Sequence, residues 1–349
     1  MARILITGGA GYVGSHCVKA LSAAGHDCLV FDNLSSGRRE FVRWGRFIEG
    51  DIRDSARLES VLYENQINAV IHFAALAYVG ESVTKPSQYY DVNVHGTRVL
   101  LDAMVRAAVL RIVFSSSCAI YGEPDRVPIS EATALKPINP YGFTKLVCER
   151  MMDDFGRAHK LKSVRLRYFN AAGADPSAEI GEDHDPETHL IPLILDAAMG
   201  RRPSVQIFGN DYRTPDGTAI RDYVHVSDLA RAHVLALEYL LNDGDTISVN
   251  LASGLGTSVR QAIESASSIT GLDISTRNLP RRFGDPPILI ADSTLAQKLL
   301  GWSPERSTLS TIIKDAWRWH RERFLDKQRA LALMSSNLNA SENVGFTRD

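Results

Sequence analysis

Arg3-Ile4-Leu5-Ile6-Thr7-Gly8-Gly9-Ala10-Gly11-Tyr12-Val13-Gly14 is the stretch that decides the fold. Its first five residues read as a short apolar strand, and the glycines read as a tight turn. Ser15 to Ala24 continues as an amphipathic helix. Gly8, Gly11 and Gly14 follow a G-x-x-G-x-x-G spacing. Such a turn lets the backbone approach a pyrophosphate and lets the helix pack close to its strand. The helix N-terminus then offers free N–H groups and a partial positive charge to phosphates. This predicts a dinucleotide site with Gly8, Gly11, Tyr12, Val13 and Gly14 around the phosphates.

The next strand, Cys28-Leu29-Val30-Phe31, ends at Asp32, eighteen residues past Gly14, with Asn33 beside it. A carboxylate there hydrogen-bonds an adenosine ribose diol and repels a 2′-phosphate, which argues for NAD over NADP. Phe47 to Gly50 leads into Asp51 and Ile52, an expected contact to the adenine edge. Ala69 to Phe73 leads into Ala74 and Ala75, small residues where a backbone lies close to a ligand. Arg111 to Ser115 leads into the serine run ending at Ser117. Helical stretches, including 95–108 and 141–158, lie between these strands. The alternation predicts an α/β fold with a doubly wound parallel sheet of the Rossmann type. Ligands bind such sheets at the carboxyl ends of the strands, where Gly8, Asp32, Asp51, Phe73 and Ser117 all fall.

Tyr141 and Lys145 stand four residues apart in Tyr-Gly-Phe-Thr-Lys. On a helix this spacing puts both on one face. An ammonium beside a phenol favours the phenolate, so the tyrosine is expected to act as a base near neutral pH.

The chain has 349 residues and a formal net charge of −2, which gives no basic surface for nucleic acid or an anionic membrane. No apolar run reaches the roughly 20 residues of a membrane span. A strand opens the sequence almost at once, so no leader is expected. Cys17, Cys28, Cys118 and Cys148 are widely spaced and form no Cys-x-x-Cys pair. Free thiols in a reducing, cytoplasmic compartment are expected. The ten histidines show no ligand spacing, so no metal is expected. Composition shifts near residue 170. The reading is a dinucleotide-binding domain over 1–170, with some later segments returning to it. A smaller α/β substrate lobe is expected over 171–325, with helices at about 226–241, 258–270, 293–300 and 308–324. Residues 326–349 read as a disordered tail.

Thr7 to Gly14, Ser115-Ser116-Ser117, Tyr141-x-x-x-Lys145, Arg167-Tyr168-Phe169-Asn170 and Arg221-Asp222-Tyr223 together resemble the extended short-chain dehydrogenase/reductases. More narrowly, Ile207 to Tyr212 and Asp216-Gly217-Thr218 make the chain similar to the UDP-glucose (UDP-galactose) 4-epimerases, from residue 2 to about 322. A similarity to UDP-arabinose (UDP-xylose) 4-epimerases lies in Ala77 to Ser82 and Cys118 to Asp125.

The resemblance implies bound NAD, a UDP-sugar substrate, and transient oxidation at the sugar C4 followed by ketose rotation and hydride return. Tyr141 would be the base, Lys145 would lower its pKa and hold the nicotinamide ribose, and Ser117 would hydrogen-bond the reacting oxygen. Asn93, Ser115 and Tyr168 would lie by the nicotinamide. Asn170, Leu190, Ile207 and Phe208 would line the diphosphate and uridine. Arg221 and Arg282 would bind the pyrophosphate, with Tyr223 beside them, Asp285 the ribose, and Leu289 the sugar. A homodimer through the helices near 95–108 and 142–158 is also implied.

Three departures bear on this. Ala77-Tyr78 stands where many such epimerases carry a phosphate-contacting lysine. Leu289 is intermediate in size between the family's bulky and small residues. His189 and Gln206 differ from the commoner uridine-wall residues. A rival 4,6-dehydratase activity needs an acid and a base beyond the tyrosine, and Cys118-Ala119 occupy the place where that group carries Asp-Glu. A dehydrogenase would need exchangeable NAD. A non-catalytic dinucleotide sensor would not need the triad. Hexose against pentose differs by one hydroxymethyl, worth only about 1–3 kcal/mol in an apolar pocket.

Overall fold

A computed structural model describes residues 1–282 and 285–324. The expected tail from residue 326 lies outside the described residues. The first half alternates strand and helix: β1 (Arg3–Thr7), α1 (Tyr12–Ala23), β2 (Asp27–Asp32), β3 (Arg46–Glu49), α2 (Ser55–Glu64) and β4 (Ala69–His72). Two short helices follow, α3 (Val79–Thr84) and α4 (Pro86–Tyr89). A π-helical turn (Tyr90–His95) then leads into α5 (Gly96–Arg106), β5 (Arg111–Ser117), α6 (Pro140–His159) and β6 (Lys162–Tyr168). Beyond them come β7 (Asn170–Ala172), α7 (Leu190–Ala198), β8 (Val205–Phe208), β9 (Ile220–His225), α8 (Val226–Leu241) and β10 (Ile247–Leu251). The remaining elements are β11 (Gly256–Ser258), α9 (Val259–Thr270), β12 (Thr276–Leu279), β13 (Ile288–Leu289), α10 (Thr294–Leu300) and a last helix, α11, over 309–324.

Seven strands form one parallel sheet in the order β10-β6-β5-β4-β1-β2-β3. The winding reverses between β1 and β4, so a crevice opens at their carboxyl ends. Both faces of the sheet are covered. Ile4, Ile6, Val30 and Ile71 meet α1 and α8 in one apolar layer, and Leu5, Leu29, Val70 and Phe114 meet α2 and α5 in the other. Period-two strands buried on both faces explain why these runs are apolar throughout.

The chain beyond residue 170 returns to this sheet through α8 and β10, as the sequence suggests. What remains forms two small sheets, one of β7, β9, β11 and β13, the other of β8 and β12. Their core collects Ile191, Leu195, Val205, Ile207, Ala262 and Ile312.

Helix α6 is the element that joins sheet to site. Asn139 caps it by accepting from the Gly142 N–H at 2.8 Å, with Pro140 at its first position. Its inner face presents Lys145, Cys148, Glu149 and Met152, at helical spacing. Glu149 is buried and receives the Arg167 guanidinium from β6 at 3.0 and 2.6 Å and the Ser116 hydroxyl at 2.6 Å. Arg167 also donates to the Tyr121 hydroxyl at 3.0 Å, and Tyr121 donates to Asn250 on β10 at 2.7 Å. Removing one member of a buried, fully paired network leaves a charge without compensation. Glu149→Ala is therefore expected to lower unfolding free energy by about 3–5 kcal/mol in urea titration.

Candidate functional site

The glycine turn sits as the sequence predicts. Gly8 has φ +73°, and a Cβ there would lie 2.5 Å from the Ala74 nitrogen. A Cβ on Gly14 would lie 2.3 Å from the Gly8 carbonyl oxygen. Only a bare backbone lets α1 begin this close to β1, and the resulting cradle fits a pyrophosphate. Tyr12 does something the motif does not show: its hydroxyl donates to the Gly173 carbonyl at 2.7 Å, tying α1 to the segment after β7.

Asp32 ends β2 with its side chain nearly buried. Its carboxylate accepts from the Ala10 N–H at 3.0 Å and the Leu34 N–H at 2.8 Å. Burial raises its pKa, and those two N–H groups pull it back. Two lone-pair sites remain for a ribose diol. Asn33 donates to Asp51 at 3.0 Å, and Arg53 forks onto the same carboxylate at 2.9 and 2.7 Å, holding Asp51 well below the usual range. Ile52 is buried beside them. Phe73 packs on the His233 ring, centroids 4.6 Å apart, while the Phe73 and Ala74 N–H groups bond the Thr7 carbonyl. Ala75 is half-buried next to them. These residues line the carboxyl edge on both sides of the winding reversal, so the described chain fits an NAD without a 2′-phosphate.

Asn93 lies in the π-helical turn, a form that recurs at functional sites. Its amide accepts from the Leu76 N–H at 2.8 Å and donates to the Leu76 carbonyl and the Thr144 hydroxyl at 3.0 and 3.1 Å. Asn93 thereby fixes the loop after β4 against α6.

Ser117 ends β5, Tyr141 and Lys145 begin α6, and the fold brings them together. Gly142 makes this possible: a Cβ there would lie 2.4 Å from the Ala119 carbonyl, so the helix start can press on the turn that follows Ser117. Ser117 accepts from the Ala119 N–H at 3.2 Å and lies near enough to the Tyr141 phenol to oppose the rise in its pKa. Lys145 is buried, and its ammonium donates to the Ser115 carbonyl at 2.7 Å. The Ser115 hydroxyl pairs with the Tyr168 hydroxyl at 2.6 Å.

One expectation is corrected here. Lys145 does not depress the Tyr141 pKa in this structure. The ammonium stands 6.0 Å from the Tyr141 ring centre and points at Ser115. Burial is the largest influence on Tyr141 and pushes it up, with Tyr168 adding to the rise and Ser117 opposing it. Burial also lowers Lys145 to about 8. Desolvation outweighs the attraction of the pair.

The proposed substrate residues split. Arg221, on β9, pairs with Asp285 and donates to the Ile220 carbonyl at 2.8 Å. Arg282 is exposed and stacks over Phe208 at 3.8 Å. Asn170 and Leu190 are half-buried at the starts of β7 and α7. Leu289 packs against the cluster of Ile120, Tyr121, Ile129 and Phe169. Ile207 and Tyr223, by contrast, belong to the apolar core and are nearly buried, because the strands that carry them face α7 and α9. Asp222, central in Arg221-Asp222-Tyr223, is fully buried. It accepts from the Ser253 N–H and hydroxyl at 2.7 and 2.6 Å and the Gly254 N–H at 3.0 Å. It orders the loop after β10, a role no sequence signal announced.

The histidines, which show no ligand spacing in sequence, include two that folding gathers with carboxylates: His184 and His189 meet Glu182 and Glu187. Spacing along the chain does not register this convergence. Burial lowers both histidines, but the glutamates outweigh it and raise His184 to about 9 and His189 to about 10.

A parallel sheet with a glycine turn, a carboxylate at the end of β2 and a Ser–Tyr–Lys group defines a nicotinamide-dinucleotide enzyme of the short-chain dehydrogenase/reductase class. Residues 4–252 match the NAD dependent epimerase/dehydratase family, and the chain belongs to that family. It is 49% identical over 321 residues to the UDP-glucose 4-epimerase of Rhizobium meliloti (strain 1021), covering 92% of this chain and 98% of that one. It is 51% identical over 319 residues to the UDP-glucose 4-epimerase of Halalkalibacterium halodurans, covering 91% and 96%. The crystal structure of the Brucella ovis UDP-glucose 4-epimerase in complex with NAD superposes with a TM-score of 0.90 at 52% identity, covering 91% of this chain and 98% of that one. That of the Stenotrophomonas maltophila UDP-glucose-4-epimerase, with bound NAD and formylated UDP-arabinopyranose, gives 0.91 at 41%, covering 93% and 100%.

Gly14→Ala tests the cradle. Its Cβ would collide with the Gly8 carbonyl, and overpacking of this kind costs about 1–3 kcal/mol. The purified variant is expected to release far less nicotinamide dinucleotide on denaturation than the parent, measured by chromatography of the supernatant.

Proposed function

We propose that this chain is an isomerase, an NAD-dependent UDP-sugar 4-epimerase that interconverts UDP-glucose and UDP-galactose. The observation that carries the reading is the placement of Tyr141 beside Ser117, with no carboxyl group at positions 118 and 119. Cys118 and Ala119 stand where elimination would need carboxyl groups, and burial pushes the Cys118 thiol up to about 12. A lone reversible proton carrier suits epimerisation.

In this reading the Gly8–Gly14 turn holds the cofactor phosphates and Asp32 the adenosine ribose. Bound in the oxidised form, NAD supplies a hydride acceptor and a positively charged ring. Burial leaves Tyr141 protonated in the protein alone, so the ring charge is what would favour the phenolate. Tyr141 Oη then takes the proton from the sugar O4 while Ser117 Oγ hydrogen-bonds the same oxygen. Arg221 and Arg282 keep the diphosphate, Asp285 the uridine ribose, and Phe208, Leu190 and Asn170 the uridine end. The 4-keto sugar turns about that tether so that C4 would take the hydride back on its other face, and Tyr141 returns the proton to O4. Guanidinium geometry suits the diphosphate role.

A pentose is the second reading. It rests on Leu289, whose packing on Ile120 and Tyr121 makes this wall of the sugar site apolar and unable to hydrogen-bond a sixth-carbon hydroxyl. We also propose a division into a cofactor lobe over 1–170, joined by later segments including α8 and β10, and a mainly substrate lobe over 171–325, a cytoplasmic location, and a homodimer. The four free cysteines support the location. The exposed aromatic pair Tyr90 and Phe143, rings 6.3 Å apart beside α5 and α6, supports the dimer.

Incubating the purified protein with UDP-galactose, and separately with UDP-xylose, without added NAD tests the function. UDP-glucose is the expected product from UDP-galactose, and UDP-arabinose from UDP-xylose marks the pentose reading. Turnover that requires added NAD, or formation of a 4-keto-6-deoxy sugar, would overturn the reading. Tyr141→Phe is expected to fold and keep its dinucleotide while kcat falls roughly 10²–10⁴-fold, the usual contribution of a general acid–base group. Light scattering is expected to show a dimer that Phe143→Glu converts to a monomer.

A further inference from the structure

Four ligand-type side chains converge in the segment between β7 and α7. Each of Glu182, His184, Glu187 and His189 offers one ligand atom, and those atoms all lie within 4.8 Å of one another. Three of the spacings are 3.2 Å (His184 Nδ1 to Glu182 Oε1), 3.7 Å (His184 Nδ1 to Glu187 Oε2) and 3.5 Å (His189 Nδ1 to Glu187 Oε1). Tetrahedral zinc with bonds of about 2.05 Å has ligand–ligand edges of about 3.3 Å. The fourth spacing, His189 Nδ1 to Glu182 Oε1, is 2.5 Å and would open by about 0.8 Å to match.

A second observation points to a ligand. The Glu182 side chain is only 3% exposed. Its Oε1 lies 2.5 Å from the His189 Nδ1 and 3.2 Å from the His184 Nδ1, yet neither it nor the His184 Nδ1 makes a contact of hydrogen-bond geometry among the described residues. Buried polar atoms are rarely left so. A cavity of about 40 Å³ adjoins them, room for an ion or one water. Two arginines line it, but each is already matched. Arg201 pairs with Asp196 at 3.1 Å, and Arg323 pairs with Asp183 at 2.6 Å and Glu40 at 2.5 Å.

We propose that Glu182, His184, Glu187 and His189 form a binding site for one divalent transition-metal ion of the zinc type. Two imidazoles and two carboxylates supply an N₂O₂ set of the kind zinc accepts, and the two negative charges balance a dication. The loop is preorganised. Its Glu182 carbonyl receives the Trp319 indole N–H at 3.1 Å, and the Glu187 carboxylate accepts from the Thr188 and His189 N–H groups at 2.7 and 2.8 Å. His189 stands just before α7 and is 44% exposed at its side chain, which leaves an entry path. His184 also meets Tyr12 and Tyr78 edge-on, at 6.2 and 5.9 Å between ring centres. An ion here would pin the start of α7, the glycine turn and the loop after β4 to one point.

The test uses the full chain with its purification tag removed, treated with EDTA and exchanged into chelator-free buffer. Calorimetric titration with zinc chloride is expected to give one equivalent per chain, micromolar or tighter. Cobalt(II) is expected to develop the intense visible absorption of a tetrahedral complex. The double variant His184→Gln/His189→Gln is expected to lose zinc affinity roughly 100-fold or more, since losing even an outer partner of a ligand costs 10- to 100-fold. Circular dichroism checks that it is folded, and the single variant Glu187→Gln gives the same reading should it not be. No zinc uptake by the parent chain overturns the proposal and leaves the cluster as a set of protonated histidine–glutamate pairs. Uptake unchanged in the variants overturns it equally.

Discussion

Helix α6 carries a buried cation and a buried anion one turn apart, and the arrangement of the site depends on how each is met. Lys145 reaches the Ser115 carbonyl of β5. Glu149 reaches past β5 to Arg167 on β6. The two contacts hold the helix in one rotational setting against two strands. A rotation that moved Tyr141 away from Ser117 would strand both charges in apolar surroundings, at a cost of several kcal/mol. The position of the phenol is thus enforced from below by charge pairing, while Gly142 only permits it.

The same burial explains the resting electrostatics. Tyr141, Tyr168 and Lys145 all shift toward their neutral forms because the carboxyl edge of the sheet is poor in water. A site of low polarity magnifies any charge introduced into it. The tyrosine is therefore poised to respond to a charged ligand and is not active on its own.

The Rossmann half of the fold was legible because its rules are local. Alternating strands and helices, the glycine spacing and Asp32 each follow from backbone geometry within a few residues. Tyr141 and Lys145 were legible for the same reason. The lysine's effect on the tyrosine was not, because a four-residue spacing fixes a shared face but not which atom the ammonium chooses. Arg167 and Asp222 sit in recognisable motifs, yet their partners Glu149 and Ser253 lie 18 and 31 residues away. Ile207 and Tyr223 were assigned to the substrate, but strand alternation turned them to the core. The Glu182–His189 cluster was hidden because its ligands alternate irregularly along a loop, where no helical or strand period announces convergence.

The π-helical turn at Tyr90–His95 fits one more residue into its turn than an α-helical path would. That surplus residue offsets the stripe of α5 from that of α4 by roughly 100°, one residue's rotation. Asn93 owes its grip on Leu76 and Thr144 to this offset. Deleting one residue would restore regular helical bonding and swing Asn93 out of reach, so the count of residues in this stretch matters as much as their identity.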